Sequence, residues 1–348
     1  MESIYNIISA NLIGGSILPD DFNILRIVKG EEYPAPKDDG VDREFTDDGV
    51  RQGEFDAVVS RLPRRFTQHL LINFRIARVL KKGINAYCSL KAGSLDAKGM
   101  AKAEKKVKAA KAIIDKYETI TIADKVLSQV DHLKTPRDKI AEFGRYLAKE
   151  GTSVQNVKLG LAMIGFFGKY ADKELVLTLG KSEELTHFAV KALSIIVKEE
   201  PDLCDCLIEL AKATRGWGKV AAILELPDKI KSQESKDWLL AHGNENTLGL
   251  YILAVEAAIK GDLDGCLTDA VNEKKPISEE VSKGILNIIE GLFQAEKIQG
   301  ADSFSEVPNV GTLLSTFAFC VKGGLITGEN AQLMVDKLTE KKFIRSRE

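Results

Sequence analysis

Gly180-Lys181-Ser182 is the first of three groups of residues whose types could do chemistry, because it matches the end of a phosphate-binding P-loop. That motif needs a glycine five residues before its Gly-Lys pair, and this chain has Leu175 there. Without the glycine, the backbone cannot curl around a phosphate. We therefore interpret Ser182 as the N-cap of a helix that begins at Glu183.

Asp262, Asp264 and Glu273 form the second group, at positions one, three and twelve of a calcium-binding EF-hand loop. Position six of such a loop must be glycine for the backbone to turn, and here it is Leu267. The spacing of the carboxylates is therefore insufficient, and we expect no calcium site.

Cys204 and Cys206 form the third group. Two residues apart on a helix, they point about 200° from each other and cannot face one zinc ion. The chain has five cysteines, an odd number, scattered through segments with helical patterns. This usage is typical of reduced thiols and not of a disulfide framework. We expect no metal, no disulfide and no cofactor.

Enzyme motifs with a known mechanism are absent from the sequence. It has no Gly-x-Ser-x-Gly elbow, no Gly-x-Gly-x-x-Gly fingerprint and no His-Glu-x-x-His pair. The sequence therefore favours a protein that is not an enzyme, although a small-molecule site near Trp217 stays open as a third alternative.

Both tryptophans of the chain fall in one stretch of the sequence. Trp217 has glycines on either side of it, and Trp238 is followed by a segment rich in amides. Tryptophan beside arginine, histidine and amide side chains is typical of a binding hot spot. The alternative is that both tryptophans are core residues that lock adjacent repeats. The candidate binding residues are Arg215, Trp217, Lys219, Trp238, His242, Asn244 and Glu245.

Charge is segregated along the chain. Residues 1–60 carry a net charge of −8, whereas residues 61–116 carry +12. Such a basic segment is suited to the phosphates of a nucleic acid. The alternatives are that the lysines only solvate a helix, or that the acidic segment folds back and neutralises them. The candidate polyanion-binding residues are Arg64, Arg65, Lys81, Lys82, Lys102, Lys105 and Lys106.

The elements that must position these residues divide the chain into three parts. Residues 1–60 contain Pro and Asp-Gly turn signals, which predict an irregular acidic arm or cap with a strand-like alternation at 22–28. Residues 61–134 form a basic helical segment, with helices over 64–82 and 96–118. The second helix has an apolar stripe from Met100 to Tyr117 and a lysine face opposite, and Asp96 lies near its start.

Residues 135–348 repeat loosely. The block 157–167 superposes on 187–197 at a shift of 30 residues, with Ala162 under Ala192, and related blocks follow to residue 321. A helix pair of about 30 residues cannot bury its apolar face alone, so its neighbours must stack on it. A small residue recurs where a partner helix would approach, as at Ala192.

These blocks resemble the HEAT and armadillo class of helical repeats, and the short period is most similar to the HEAT-like repeats of phycobilisome-lyase type. The resemblance implies an all-α fold: an α-solenoid of stacked helix pairs with a small irregular acidic N-terminal segment. It also implies a non-enzymatic scaffold that presents its surface to a protein or peptide partner. The alternative is a nucleic-acid-binding protein, or a HEAT-like DNA-repair type of enzyme, that uses residues 61–116.

Membrane and secretion signals are missing from the sequence. No apolar stretch approaches the roughly 18 residues that a span requires, and the first sixteen residues lack the basic start of a signal peptide. We therefore expect a cytoplasmic protein with no membrane partner.

Overall fold

Helices make up the fold. The computed structural model describes residues 2–29, 66–117, 119–299 and 303–341, and within these ranges it contains no β-strand. The all-α fold class is thus confirmed. No helix in the described ranges combines the length and the apolar character that crossing a bilayer requires. The chain divides into two compact units, Met1–Ala221 and Ala222–Glu348, whereas the three-part division expected from the sequence stays a prediction.

The N-terminal unit is built from helices of 6 to 26 residues. Its described helices are α1 (Ile4–Asn11), α2 (Ile24–Lys29), α3 (Phe66–Lys91), α4 (Ala97–Ile114), α5 (Thr119–His132), α6 (Arg137–Glu150), α7 (Val154–Phe167), α8 (Lys173–Gly180), α9 (Glu183–Ile196), α10 (Glu200–Ala213) and the start of α11 (Trp217–Glu225). Alternate helices contact one another in the series α3, α5, α7 and α9, and α6, α8 and α10 also contact members of this series.

Small residues set the close contacts in this unit. Gly144 and Gly160 meet where α6 crosses α7, and a Cβ on Gly160 would lie 2.7 Å from the backbone nitrogen of Ala148. On α7, a Cβ on Gly165 would lie 3.0 Å from Cα of Ala192 on α9. The predicted close approach at Ala192 is therefore confirmed, because even a methyl group on Gly165 would require Ala192 to shift by a few tenths of an ångström.

Helix α4 begins where the sequence predicts. Asp96 is its N-cap and accepts a hydrogen bond from the Gly99 backbone N–H at 2.8 Å. Its buried residues repeat at steps of three and four: Ala103, Val107, Ala110 and Ile114. Met100 was predicted to belong to this stripe, but its side chain is exposed. That part of the prediction is wrong because α4 packs on α3 only from its second turn onward.

Residues 2–29 form two helices. Ile4 and Ile8 of α1 are fully buried, and the Ile4 N–H donates to the carbonyl of Gly151. The strand suggested for residues 22–28 is wrong, because the Asn23 side chain accepts from the Arg26 N–H and starts α2. The rest of the predicted acidic arm, residues 30–60, lies outside the described residues.

The C-terminal unit has its own hydrophobic core. Its helices, besides the end of α11, are α12 (Gln233–His242), α13 (Ala254–Lys260), α14 (Leu263–Glu273), α15 (Glu279–Gln299), α16 (Val310–Lys322) and α17 (Ala331–Glu340). Helix α15 lies at the centre and contacts α12, α13 and α17. Its buried Ile285, Ile288 and Ile289 belong to the same core as Phe304 and Phe317.

Lys260 in the C-terminal unit is only 4% exposed. Its ammonium donates to the carbonyl oxygens of Ile223, Leu224 and Leu226 at 2.8 to 2.9 Å, and Glu256 lies 3.2 Å away. Those carbonyls are at the end of α11, where the helix leaves acceptors without intrahelical donors. The lysine thus terminates α11 with a buried positive charge at the negative end of the helix dipole.

Candidate functional site

The segment around Trp217 is occupied by groups of the chain itself. The Glu183 carboxylate accepts from the backbone N–H groups of Gly216 and Gly218, both at 2.9 Å, and from that of Arg215. A carboxylate there satisfies the free N–H groups at the start of α11 and suits the helix dipole. The glycines at 216 and 218 therefore build a helix start.

The three candidate binding residues of this segment differ in exposure. The Arg215 guanidinium is exposed and pairs with the Asp20 carboxylate, whose pKa it lowers first through a hydrogen bond and then through its charge. Trp217 is half-buried and Lys219 is buried. Arg215 thus ties the α2 region to the start of α11, and only part of the predicted hot spot faces solvent.

The other four candidate binding residues lie in the C-terminal unit. The two ring nitrogens of His242 lie 3.1 Å from the Glu245 carboxylate and 2.9 Å from that of Glu280. Donating to both at once requires a proton on each nitrogen. The Trp238 ring is half-buried beside His242, and Asn244 is fully buried, with neither amide atom hydrogen-bonded to a described residue. His242, through Glu280, links the end of α12 to the start of α15.

The residues of the P-loop-like and EF-hand-like patterns have structural roles. Lys181 is buried, and its ammonium donates to the Gly15 carbonyl and pairs with Glu209. Ser182 precedes α9 as predicted but makes no side-chain capping bond. Asp262 is the N-cap of α14 and accepts from the Gly265 N–H. Across the described ranges, no three His, Cys, Asp or Glu side chains lie close enough to hold a metal ion.

All five cysteines are free thiols. Burial raises the pKa of Cys206 to about 12 and that of Cys266 to about 11, with nearby carboxylates adding to the effect. Burial also raises the pKa of Cys88, Cys204 and Cys320. Because the thiolate is the reactive form, these cysteines are poor nucleophiles at neutral pH.

Helix α4 presents a row of exposed lysines, which we call the lysine face. We define it as the exposed Lys98, Lys102, Lys105, Lys106 and Lys108. None of the five makes an ion pair or hydrogen bond with any residue that the structure describes. Glu104 is the single acidic residue of α4. The predicted lysines therefore lie opposite the buried stripe of α4, whereas the acidic residues 30–60 that could cover them lie outside the described residues.

The remaining described candidates for polyanion binding, Lys81 and Lys82, lie on α3. Lys81 donates to the Leu133 carbonyl at 2.6 Å and so terminates α5. Lys82 is exposed on α3. Arg64 and Arg65 lie outside the described residues. Lys81 therefore has a structural role, whereas the side chain of Lys82 is available to a ligand.

A cavity of about 530 Å³ opens beside the lysine face, between α3, α4 and α6. We call it the tyrosine groove, after the rings of Tyr87 and Tyr146, which stack with their centroids 4.4 Å apart. Burial raises the pKa of both phenols, so the rings stay neutral at physiological pH. Lys108 and Lys111 line the same groove, and the Lys111 ammonium lies 5.6 Å from the Tyr146 ring centroid.

The tyrosine groove is not visible in the sequence. Tyr146 belongs to α6, outside the basic segment 61–116, and only the contact of α6 with α3 brings it to Tyr87. The one available signal was the lysine face itself, which predicts a charged surface but not the aromatic rings beside it.

A second groove, of about 460 Å³, lies between α5, α7 and α9. Gly165, Ala162 and Ala192 line it with small side chains, and the exposed Phe166 and Ile195 also line it. We call it the apolar groove. Asp124, His187 and Lys191 add polar groups to its lining.

Comparison with known proteins gives no relative: no protein-family model, no curated protein and no solved structure matches the chain. The residues and their geometry therefore carry the functional inference.

Proposed function

We propose that this chain binds a polyanion of the nucleic-acid class, and that the ligand lies on the lysine face of α4. The observation that carries the proposal is the set of five exposed lysines without a carboxylate partner among the described residues. Lys98, Lys102 and Lys105 follow one stripe about 10 Å long at 1.5 Å per residue. Over that length one strand of a duplex presents about three phosphates.

The helix itself supports this proposal. Like charges at three- and four-residue steps destabilise a helix by about 0.2 to 0.5 kcal/mol per pair, and α4 contains such pairs at Lys98 with Lys102 and at Lys102 with Lys105 and Lys106. A helix that only needed solvation would gain from alternating Glu and Lys. Phosphates would relieve the repulsion and release their own counterions.

The first prediction is that Lys102→Gln, Lys105→Gln and Lys106→Gln together weaken binding of a 20-nucleotide DNA about tenfold or more at 50 mM salt. The slope of log affinity against log salt should become shallower by about 2 to 3, because about three phosphate contacts are lost. Fluorescence anisotropy over a salt series measures both quantities.

The matched control replaces three exposed lysines of the C-terminal unit, Lys275, Lys283 and Lys322, by glutamine. It changes the net charge equally and should leave the affinity nearly unchanged. An equal loss of affinity in both triple variants would mean that binding depends only on net charge, and it would contradict the lysine face as the binding site. Absence of DNA binding by the unaltered chain at 50 mM salt would remove the proposal altogether.

The second candidate function is that of a scaffold for a protein or peptide partner, and the apolar groove favours it. Phe166 and Ile195 are exposed at 51% and 40%, which costs free energy unless a partner covers them. The floor of glycine and alanine leaves room for one large apolar side chain. The occupant we propose is an amphipathic segment of a protein partner that inserts such a residue.

The second prediction is that peptides selected from a random library against the intact chain share a large apolar residue. Their affinity should fall about tenfold or more on Phe166→Ser with Ile195→Ser, because one buried large side chain contributes about 1.5 to 3 kcal/mol. Titration calorimetry measures the peptide affinity. The control is the double variant Phe319→Ser with Leu333→Ser, which changes two exposed positions of the C-terminal unit. Equal binding to both double variants would contradict the groove.

An α-solenoid of the HEAT-like type is the architecture we propose for both functions. The contacts between alternate helices, from α3 to α9 and again in the series α13, α15 and α17, support it, because stacked helix pairs produce this pattern. A crystal structure in which alternate helices did not lie side by side would overturn it. The cytoplasmic location stays a prediction.

A further inference from the structure

The tyrosine groove and the lysine face are parts of one surface on α4. Lys108 belongs to both, and Lys105 lies one turn before it. The groove combines stacked aromatic rings, an apolar lining from Leu90 and Val107, and the ammonium groups of Lys108 and Lys111. Its volume falls within the range of small-molecule sites, about 300 to 1,000 Å³.

We infer that the ligand is a single-stranded nucleic acid, and that an unpaired base enters the tyrosine groove while its neighbouring phosphates lie on the lysine face. This inference rests on the proposed function and names its ligand more closely. Base stacking on aromatic rings inside a basic groove is how proteins hold single strands without reading their sequence. The bases of a duplex are paired and stacked on one another, so they cannot reach the rings.

The charges within the groove fit this occupant. The Lys111 ammonium lies against the Tyr146 ring, where a base would take its place and leave the lysine for a phosphate. The Asp115 carboxylate accepts from the side chains of Asn156 and Ser153, which reduces its availability to a ligand. Glu104 and Asp115 are the two acids of the groove lining, and both repel a phosphate. Glu104→Gln removes one of these charges and should therefore tighten single-strand binding severalfold.

The test uses the full chain and three probes of equal length: oligo(dT), an abasic strand with the same phosphates but no bases, and a duplex. We expect oligo(dT) to bind about fivefold or more tighter than the abasic strand. A fivefold ratio corresponds to the lower limit of about 1 kcal/mol for stacking one base on an aromatic ring. It should also bind tighter than the duplex in solutions of equal salt. Equal affinities for oligo(dT) and the abasic strand, or tighter duplex binding, would overturn the inference while leaving the polyanion function intact.

Substitutions of Tyr146 and Tyr87 test whether the preference for oligo(dT) depends on the stacked rings. Tyr146→Leu should abolish the preference for oligo(dT) over the abasic strand, whereas Tyr146→Phe, which keeps the ring, should retain it. A preference that survives Tyr146→Leu would overturn the assignment to this groove. If that variant does not fold, Tyr87→Leu and the probe comparison on the unaltered chain decide the question. Binding to none of the probes would refute the proposed function and the inference together.

Discussion

Replacing Lys260 by methionine should lower the free energy of unfolding by about 2 kcal/mol. Methionine keeps the length and volume of the side chain but removes the donor to the carbonyls of Ile223, Leu224 and Leu226. The buried Leu226 carbonyl would then lack a partner, which costs about 1 to 3 kcal/mol, whereas the Ile223 carbonyl keeps the Leu226 N–H as a donor. Urea denaturation followed by circular dichroism should show a lower midpoint for the transition of the C-terminal unit.

The control for this change is Lys283→Met, at an exposed position of α15. It removes the same charge from the surface and should shift the free energy of unfolding by about 0.5 kcal/mol or less. A Lys260→Met chain as stable as this control would mean that water replaces the ammonium at the end of α11, and the capping role would be refuted.

Gly284→Ala should destabilise the chain by about 2 to 3 kcal/mol, although the same change in an ordinary helix stabilises by about 0.5 to 1 kcal/mol. Gly284 lies where α15 crosses α12. A Cβ there would fall against the carbonyl oxygen of Leu240 and 2.5 Å from Cα of Ala241. Both are backbone atoms that cannot turn away, so the two helices would have to separate.

Gly311→Ala is the matched control for this prediction. Gly311 lies in the first turn of α16, and a Cβ built on it would meet nothing within 4 Å. Alanine there should raise the thermal midpoint slightly because it lowers the entropy of the unfolded chain. Calorimetry on both variants should show a lower thermal midpoint for Gly284→Ala and a higher one for Gly311→Ala. A higher thermal midpoint for both variants would contradict the close approach at Gly284.

Local signals in the sequence determined the helices. The period of apolar residues and the capping side chain of Asp96 set α4. The repeat of small residues identified Ala192 as a point of close approach. These features are readable because a helix is specified by hydrogen bonds and side-chain contacts within about four residues.

Only the tertiary structure decided what these helices present to a ligand. In the sequence, Arg215-Gly216-Trp217-Gly218-Lys219 has the composition of a binding site, but the Glu183 carboxylate from another helix already occupies its N–H groups. Conversely, nothing in the sequence near Lys108 indicates Tyr146, which α6 carries to the edge of α4. A side chain becomes structural or available according to the partners that distant segments bring to it, and those contacts depend on helix packing, which no local pattern encodes.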